Sequence, residues 1–377
     1  MDDLLLLFGN LANLLDWRIP VMWAIGALLI YLAIARDMEP TLLLPLGFGA
    51  ILVNLPFSGA VTQVINGVTE HGALSVLFDA GIANELFPLL LFIGIGAMID
   101  FGPLLSNPKL MLFGAAAQFG IFFTLIMASL MGFELTDAAS IAIIGAADGP
   151  TSIVVANHFG TKYIGAIIVA AYSYMALVPI VQPPCIRLIT TQKERRIRMQ
   201  YNPADVSRTL RILFPICVTM IAALVAPASA SLVGFLMFGN LIRECGVLNA
   251  LSEAAQKVLA NLITLLLGIT VAISMRGEAF LRLETLMILG LGLVSFIFDT
   301  FGGVLFVKFL NLFRKEKMNP MIGAAGISAF PMASRVVHKM GLKEDPYNYL
   351  LMHAAGANVA GQIASAIVGG LIISLVG

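Results

Sequence analysis

Residues 138–160 read AASIAIIGAADGPTSIVVANHFG. An apolar run fit for a membrane is interrupted here by Asp148-Gly149-Pro150. Proline removes an amide donor and clashes with the preceding turn, while glycine lets the backbone unwind. Lipid offers no partner for the carbonyls freed by such a break. An ionised carboxylate in mid-membrane costs at least about 2.5–3.5 kcal/mol. Asp148 is therefore tolerated only if it is paired, protonated or bound to a cation. Thr151 and Ser152 add hydroxyl oxygens. Carboxylate, carbonyl and hydroxyl oxygens together suit Na⁺, Mg²⁺ or Ca²⁺ and not a soft metal. A single carboxylate among neutral oxygens favours a monovalent ion. The competing structural reading is that Asp148 caps a half-helix or pairs with Arg335.

A second interruption, MNPMIGAAGISAFPMASRVVHKMG, occupies residues 318–341. Asn319-Pro320 opens it, Gly323 and Gly326 loosen it, Ser328 offers a hydroxyl and Pro331 breaks it again. Arg335 follows, either as a planar fork that receives a carboxylate or as an interfacial residue whose stem lies along lipid. Ile144-Gly145-Ala146-Ala147-Asp148 echoes Ile322-Gly323-Ala324-Ala325-Gly326. Paired interruptions in corresponding halves of a chain point to a binding site built by an internally repeated transporter fold.

The rest of the chain fits a lipid solvent. Of 377 residues, 59% are hydrophobic and 12% charged, with a mean hydropathy of +0.95; soluble domains carry about 25% charged residues. The 22 basic and 22 acidic residues cancel, which excludes a broad nucleic-acid footprint. Apolar segments near 19–35, 40–57, 84–99, 110–133, 163–188, 210–227, 258–275, 285–311 and 350–375 approach the length needed to span. The short segment 229–243 reads as a re-entrant hairpin or a short span, and 138–157 and 319–340 as broken segments. The expectation is an all-α polytopic membrane protein, a single integral membrane domain over 1–377 with about ten or eleven crossings. The loop TTQKERRIRMQYNPADVSRTLR is the most basic, so the positive-inside rule places residues 189–209 in the cytoplasm. Arg314, Lys315 and Lys317 form a second basic cluster. The acidic start of MDDLLLLFGNLANLLDW does not fit a signal peptide and fits an amphipathic surface helix. Cys185, Cys217 and Cys245 lack metal spacing and read as packing residues. His71, His158, His338 and His353 are scattered.

Tyr172, Ser173 and Tyr174 lie in an apolar helix, and Asn358 lies within HAAGANVAGQIAS. Taken alone, the tyrosines read as packing residues with their hydroxyls on backbone. Asp79, Asp100 and Asp299 also neighbour apolar runs, and spacing does not decide their burial.

GAADGPTSIVV, the helix bearing YSYM and NPMIGAAGISAFPMASRVV together resemble the β subunits of sodium-pumping, biotin-dependent decarboxylases, over residues from about 20 to the end. That family includes the membrane subunits acting with oxaloacetate, methylmalonyl-CoA, glutaconyl-CoA and malonate. The resemblance implies an elevator-like fold with inverted repeats in a prokaryotic cytoplasmic (inner) membrane. It implies decarboxylation of carboxybiotin, consumption of a proton and export of Na⁺. Its partners would be a biotin carrier protein or domain, a carboxyltransferase α subunit, a small single-span membrane subunit and further β subunits. It assigns Asp148, Asn319, Gly323, Ser328, Tyr174 and Asn358 to Na⁺ sites. Asp148, Tyr174, Ser328 and Arg335 would be the catalytic set, with Arg335 against carboxybiotin. No lysine has an AMKM-like context, so biotin must arrive in trans. No P-loop or Rossmann fingerprint points to ATP or a dinucleotide. The rival reading is a sodium-coupled symporter or Na⁺/H⁺ antiporter; an ion-free scaffold leaves Asp148 unexplained.

Overall fold

The computed structural model describes residues 16–56, 58–65, 68–200 and 206–377. The expected amphipathic N-terminal helix falls mostly outside them. Seven helices among the described residues are long and apolar enough to cross a membrane: Arg18–Arg36, Pro108–Leu130, Ile164–Ile189, Arg208–Val225, Asn249–Met275, Leu283–Leu312 and Leu351–Val376. Ala73–Ala83 and Leu86–Met98 form a further pair bent by 61°. Pro40–Val53 and Leu135–Ala146 are shorter apolar helices. The chain is thus an all-α polytopic membrane protein with broken spans. Segment 229–243 becomes one helix, Ala230–Glu244. Among the described residues the only strands form a short antiparallel pair, Gln63–Ile65 against Val68–Glu70, with Gln63 opposite Glu70. It sits in the polar connection after Pro40–Val53, where water can satisfy the edges of a two-stranded ribbon.

Burial sorts these helices by role. In Leu351–Val376, 67% of the best apolar window is buried, against 11% in Arg208–Val225 and 17% in Arg18–Arg36. The last helix is therefore the central post, rich in Gly, Ala and polar residues. The outer ones present Leu28, Ile34, Leu224 and Val225 outward, as side chains do when lipid is the solvent. Small residues let the inner helices touch by backbone: a Cβ on Gly239 would overlap the Ile93 carbonyl, and one on Gly96 the Leu236 carbonyl. That reciprocal pair locks Ala230–Glu244 against Leu86–Met98.

The two basic clusters meet at one end of the molecule. Asn319, two residues beyond Lys317, donates to the carbonyls of Arg195 (2.8 Å) and Ile197 (3.0 Å). Arg195 Nε meets Glu344 Oε1 at 2.7 Å, and Arg198 clasps both oxygens of Asp345 at 2.6 and 3.0 Å. Lys308 ties Glu194 (3.1 Å) to the carbonyl of Ile189 (3.0 Å). Burial pushes the Glu344 carboxyl up, but the hydrogen bond and charge of Arg195 outweigh it and hold the group below the usual carboxylate range. The Arg198 contact lowers Asp345 likewise. A depressed carboxyl contributes stability above its unfolded value and loses it as pH falls through the folded value. The thermal midpoint of the wild type should therefore fall between about pH 5 and about pH 3 more steeply than that of a Glu344→Gln/Asp345→Asn variant. Parallel pH profiles in a thermal-shift assay would remove this role from the clasp.

Candidate ion-binding site

The first broken segment is built in steps. Helix Leu135–Ala142 tightens into a 3₁₀ turn, Ile143–Ala146. Ala147 then takes a left-handed conformation, φ 51°. A residue with a Cβ pays about 1 kcal/mol or more there, which marks the turn as one held by its surroundings. Asp148 follows in extended geometry and caps helix Gly149–His158, whose second residue, Pro150, needs no amide partner.

Asp148 is 3% exposed. Its Oδ1 lies 3.5 Å from the Thr151 amide, a weak cap. Its Oδ2 accepts from Thr151 Oγ1 at 2.7 Å, Ser365 Oγ at 2.8 Å and Gln362 Nε2 at 3.1 Å. Ser152 Oγ donates to the Asp148 carbonyl at 2.9 Å. The carboxylate is thus held entirely by neutral donors, and no salt bridge forms with Arg335. The Ser365 hydroxyl has a second acceptor, the Gln362 carbonyl at 3.1 Å. It can turn its proton there and leave a lone pair beside Asp148. Among the described residues no three acidic, histidine or cysteine side chains gather as a polyvalent metal site would require. One carboxylate among hydroxyl, amide and carbonyl oxygens suits a monovalent hard cation.

The second broken segment is clamped onto the first. Ser328 donates to the Ala146 carbonyl from both its hydroxyl (2.6 Å) and its amide (3.2 Å). Ala146 lies two residues before Asp148. Asn358 Nδ2 donates to the Ile327 carbonyl at 2.7 Å. Asn358, Gln362 and Ser365 follow one face of the central helix at i, i+4 and i+7, so a single helix face lines both breaks. Several buried acceptors there have no hydrogen-bond partner: Asn358 Oδ1, Gln182 Oε1 and Gln118 Oε1. Gln182 Nε2 holds the Ala324 carbonyl at 2.7 Å, and Gln118 lies 3.5 Å from that of Gly326. Buried oxygens without donors are costly unless an unseen ligand or water satisfies them.

The remaining expected residues stand elsewhere. Tyr174 donates to the Leu289 carbonyl, and its ring packs on Gly292. It is Tyr172, two residues earlier and on another face of the helix, whose ring lies over Gly149, with its hydroxyl buried and unpartnered. Asn319 is spent on the basic loop, at the carbonyls of Arg195 and Ile197, and does not bond to Asp148. Gly323 marks a backbone crossing with Gly303. Arg335 is exposed on helix Met332–Glu344 and makes no ion pair among the described residues. Its charge reaches Glu39, whose carboxyl burial pushes up and Arg335 pulls back. Gln362, Ser365 and Tyr172 are additions that sequence reasoning did not single out as ligands. The one signal available was the i, i+4, i+7 row of polar side chains in an apolar helix.

The family model of the Na⁺-transporting oxaloacetate decarboxylase β subunit matches residues 19–376. The chain is 49% identical to the methylmalonyl-CoA decarboxylase β subunit of Propionigenium modestum, covering 95% of this chain and 94% of that protein. It is 46% identical to the glutaconyl-CoA decarboxylase β subunit of Acidaminococcus fermentans over 96% and 94% of the two chains. It is 42% identical to the oxaloacetate decarboxylase β chain of Klebsiella pneumoniae over 94% of each.

Proposed function

Because the chain belongs to the β-subunit family of Na⁺-transporting decarboxylases, we propose that the Asp148 cluster is the Na⁺ site through which it couples decarboxylation to ion movement. The chain is the multi-pass membrane subunit of a sodium-pumping decarboxylase and works in a complex with other subunits. Family membership decides for this reading over a plain symporter or antiporter. The observation that carries the site is Asp148 itself, a fully buried carboxylate at a helix break, held only by neutral donors and a clamp from the second break.

The cargo ion would take Asp148 Oδ2 while Ser365 turns its proton to the Gln362 carbonyl. Thr151 Oγ and the orphaned oxygen of Asn358 are further ligand candidates beside it. Because Ser328 grips Ala146, any movement of the second broken segment pulls on the turn that presents Asp148. That linkage gives ion release a mechanical route as well as an electrostatic one. Tyr174 and Gly323 act at one remove, through their packing on helix Leu283–Leu312. Asn319 fixes the cytoplasmic loop to the start of the second break. Arg335, exposed and unpaired, suits a carboxylate arriving from the aqueous side on a biotin carrier domain. Carboxybiotin, when docked there, supplies a carboxyl group that leaves as CO₂ once its ureido nitrogen is protonated. A carboxyltransferase α subunit, a small single-span subunit and further β subunits complete the proposed assembly, in a prokaryotic cytoplasmic membrane. Each charge exported against 100 mV requires about 2.3 kcal/mol from the decarboxylation.

The test is substrate-driven Na⁺ uptake by proteoliposomes holding the whole complex. Uptake that proceeds without the biotinylated partner would return the chain to the simple transporters. Ser365→Ala probes the site itself. It removes the hydroxyl oxygen whose lone pair would face the cation; with that contact taken at about 1.5 kcal/mol, the lower end for interactions with a charged group, the half-saturating Na⁺ concentration should rise about tenfold with turnover at saturating Na⁺ little changed. An unaltered Na⁺ dependence would take Ser365 out of the site.

A further inference from the structure

A second carboxylate lies fully inside the membrane region and has no part in the site above. Asp299 is 0% exposed, in the middle of helix Leu283–Leu312. Its Oδ1 accepts from the Gly120 amide at 2.5 Å and reaches that of Ile121, so it caps the first turn of helix Phe119–Leu130. Its Oδ2 has no partner. Capping explains one oxygen only, and an asparagine would cap as well without the cost of a buried charge.

The free oxygen faces the back of the first broken segment. A Cβ built on Gly145 would lie 2.6 Å from Asp299 Oδ2 and would also overlap Ser295 Oγ. Both oxygens therefore point at the same spot, three residues before Asp148. Ser295 Oγ bonds to the carbonyls of Gly120 (3.1 Å) and Ala142 (3.4 Å), which joins the two segments around the carboxyl. The spot is filled by Gly145 backbone. A metal ion needs a shell of oxygens and room for it; a proton needs neither.

We propose that Asp299 Oδ2 is a proton-binding position that exchanges its proton as Na⁺ enters and leaves Asp148. This rests on the reading of Asp148 as a Na⁺ site. Protonation forms one O–H bond at Oδ2 and neutralises the carboxylate; the proton comes from water and returns to it. Two anions in one low-dielectric region repel, so loss of the cation at Asp148 draws a proton to Asp299, and return of the cation expels it. The 3₁₀ turn Ile143–Ala146 lies between the two groups and feels both.

The surroundings supply no competing charge in contact. The neighbouring segments Met111–Ala116, Phe119–Leu130, Ile143–Ala146 and Met321–Ala324 contain no titratable residue. Helix Leu135–Ala142 brings Asp137, which accepts from Thr161 at 2.5 Å. Helix Ile164–Ile189 brings Tyr172, Tyr174, Cys185 and Arg187, and the helix of Asp299 itself carries Glu284 and Lys308. None of these is hydrogen-bonded or ion-paired to Asp299.

The experiment is infrared difference spectroscopy of the purified complex, Na⁺-bound minus Na⁺-free. The wild type should show a carboxylic-acid C=O band that Na⁺ suppresses. Asp299→Asn keeps the cap and should lose that band completely while still binding Na⁺. The same band at the same intensity in Asp299→Asn overturns the proposal. Should that variant fail to assemble, Ser295→Ala leaves the carboxyl in place and must shift the band; an unshifted band is equally fatal. A complex that binds Na⁺ but does not pump it would sink the proposed function without touching this result.

Discussion

Asp148→Asn should all but abolish Na⁺-dependent decarboxylation, lowering turnover by about a hundredfold while carboxyl transfer on the soluble partner continues. The substitution is nearly isosteric. An amide oxygen still accepts from Thr151 Oγ1 and Ser365 Oγ, now 2.7 and 2.8 Å from Oδ2, so the helix break and its cap survive. What is lost is the negative charge that a cation would neutralise. Interactions of a charged group are worth about 1.5–3 kcal/mol, and each 1.36 kcal/mol is tenfold in rate. The upper value corresponds to roughly two orders of magnitude. A second loss adds to this. With the amide oxygen in the Oδ2 place, where it keeps the Gln362 contact at 3.1 Å, the –NH₂ takes the place of Oδ1 and presents a donor where the carboxylate offered a cation a second oxygen. The clean measurement is Na⁺-dependent CO₂ release by the whole complex, with carboxyl transfer assayed on the same preparation. Turnover that keeps its Na⁺ dependence in this variant would falsify the site. A matching loss of carboxyl transfer would point instead to failed assembly.

The sequence makes some of this legible for a definite reason. Asp148 stands out because a carboxylate beside Gly-Pro in an apolar run contradicts its solvent, and contradiction is a strong signal. Ser328 is marked by the second set of breakers, and the two breaks do meet, at the Ala146 carbonyl. Gln362 and Ser365 carry no such mark. They are neutral, and helices bear neutral polar residues for many reasons; only the neighbouring helix tells which face they serve. Tyr172 and Tyr174 show the same limit from another side. Two residues along a helix is a turn of about 200°, so which ring meets Gly149 depends on how helix Ile164–Ile189 is rotated against its neighbours. The motif they share groups Asn319, expected at a Na⁺ site, with Arg335, expected against carboxybiotin. Space separates them: one fastens the basic loop at Arg195 and Ile197 and the other stands exposed near Glu39. Span positions were readable to within a few residues for most long helices, because lipid imposes a length. The bend between Ala73–Ala83 and Leu86–Met98 was not, since both arms are apolar and only their angle, 61°, betrays it.

Gly323→Val should cost the complex its fold before it costs it any chemistry. Gly323 and Gly303 cross with their backbones in contact: a Cβ on either overlaps the carbonyl of the other, and one on Gly323 also lies 2.9 Å from the Val304 amide nitrogen. The obstacle is main chain on both sides, inside a long helix and a fully buried turn, so no flexible side chain can yield. Overpacking of a core typically costs about 1–3 kcal/mol when side chains can shift, and here the helices themselves must part. Parting them lifts the segment that carries Ser328 away from Ala146, so the damage reaches the ion site along a defined path. The expected result is a drop in the thermal midpoint and in the yield of assembled complex, with residual protein showing weaker Na⁺ dependence. Gly290 is the matched control. It lies in the same helix as Gly303, and a Cβ there meets nothing within 4 Å. Gly290→Ala should be neutral or stabilise by about 0.5–1 kcal/mol, the ordinary gain of replacing glycine within a helix. If Gly323→Val melts with the wild type while Gly290→Ala does not differ from it, the crossing is not what holds the second break in place. Gly323 would then owe its position to a direct role at the ion site, with its carbonyl as the ligand.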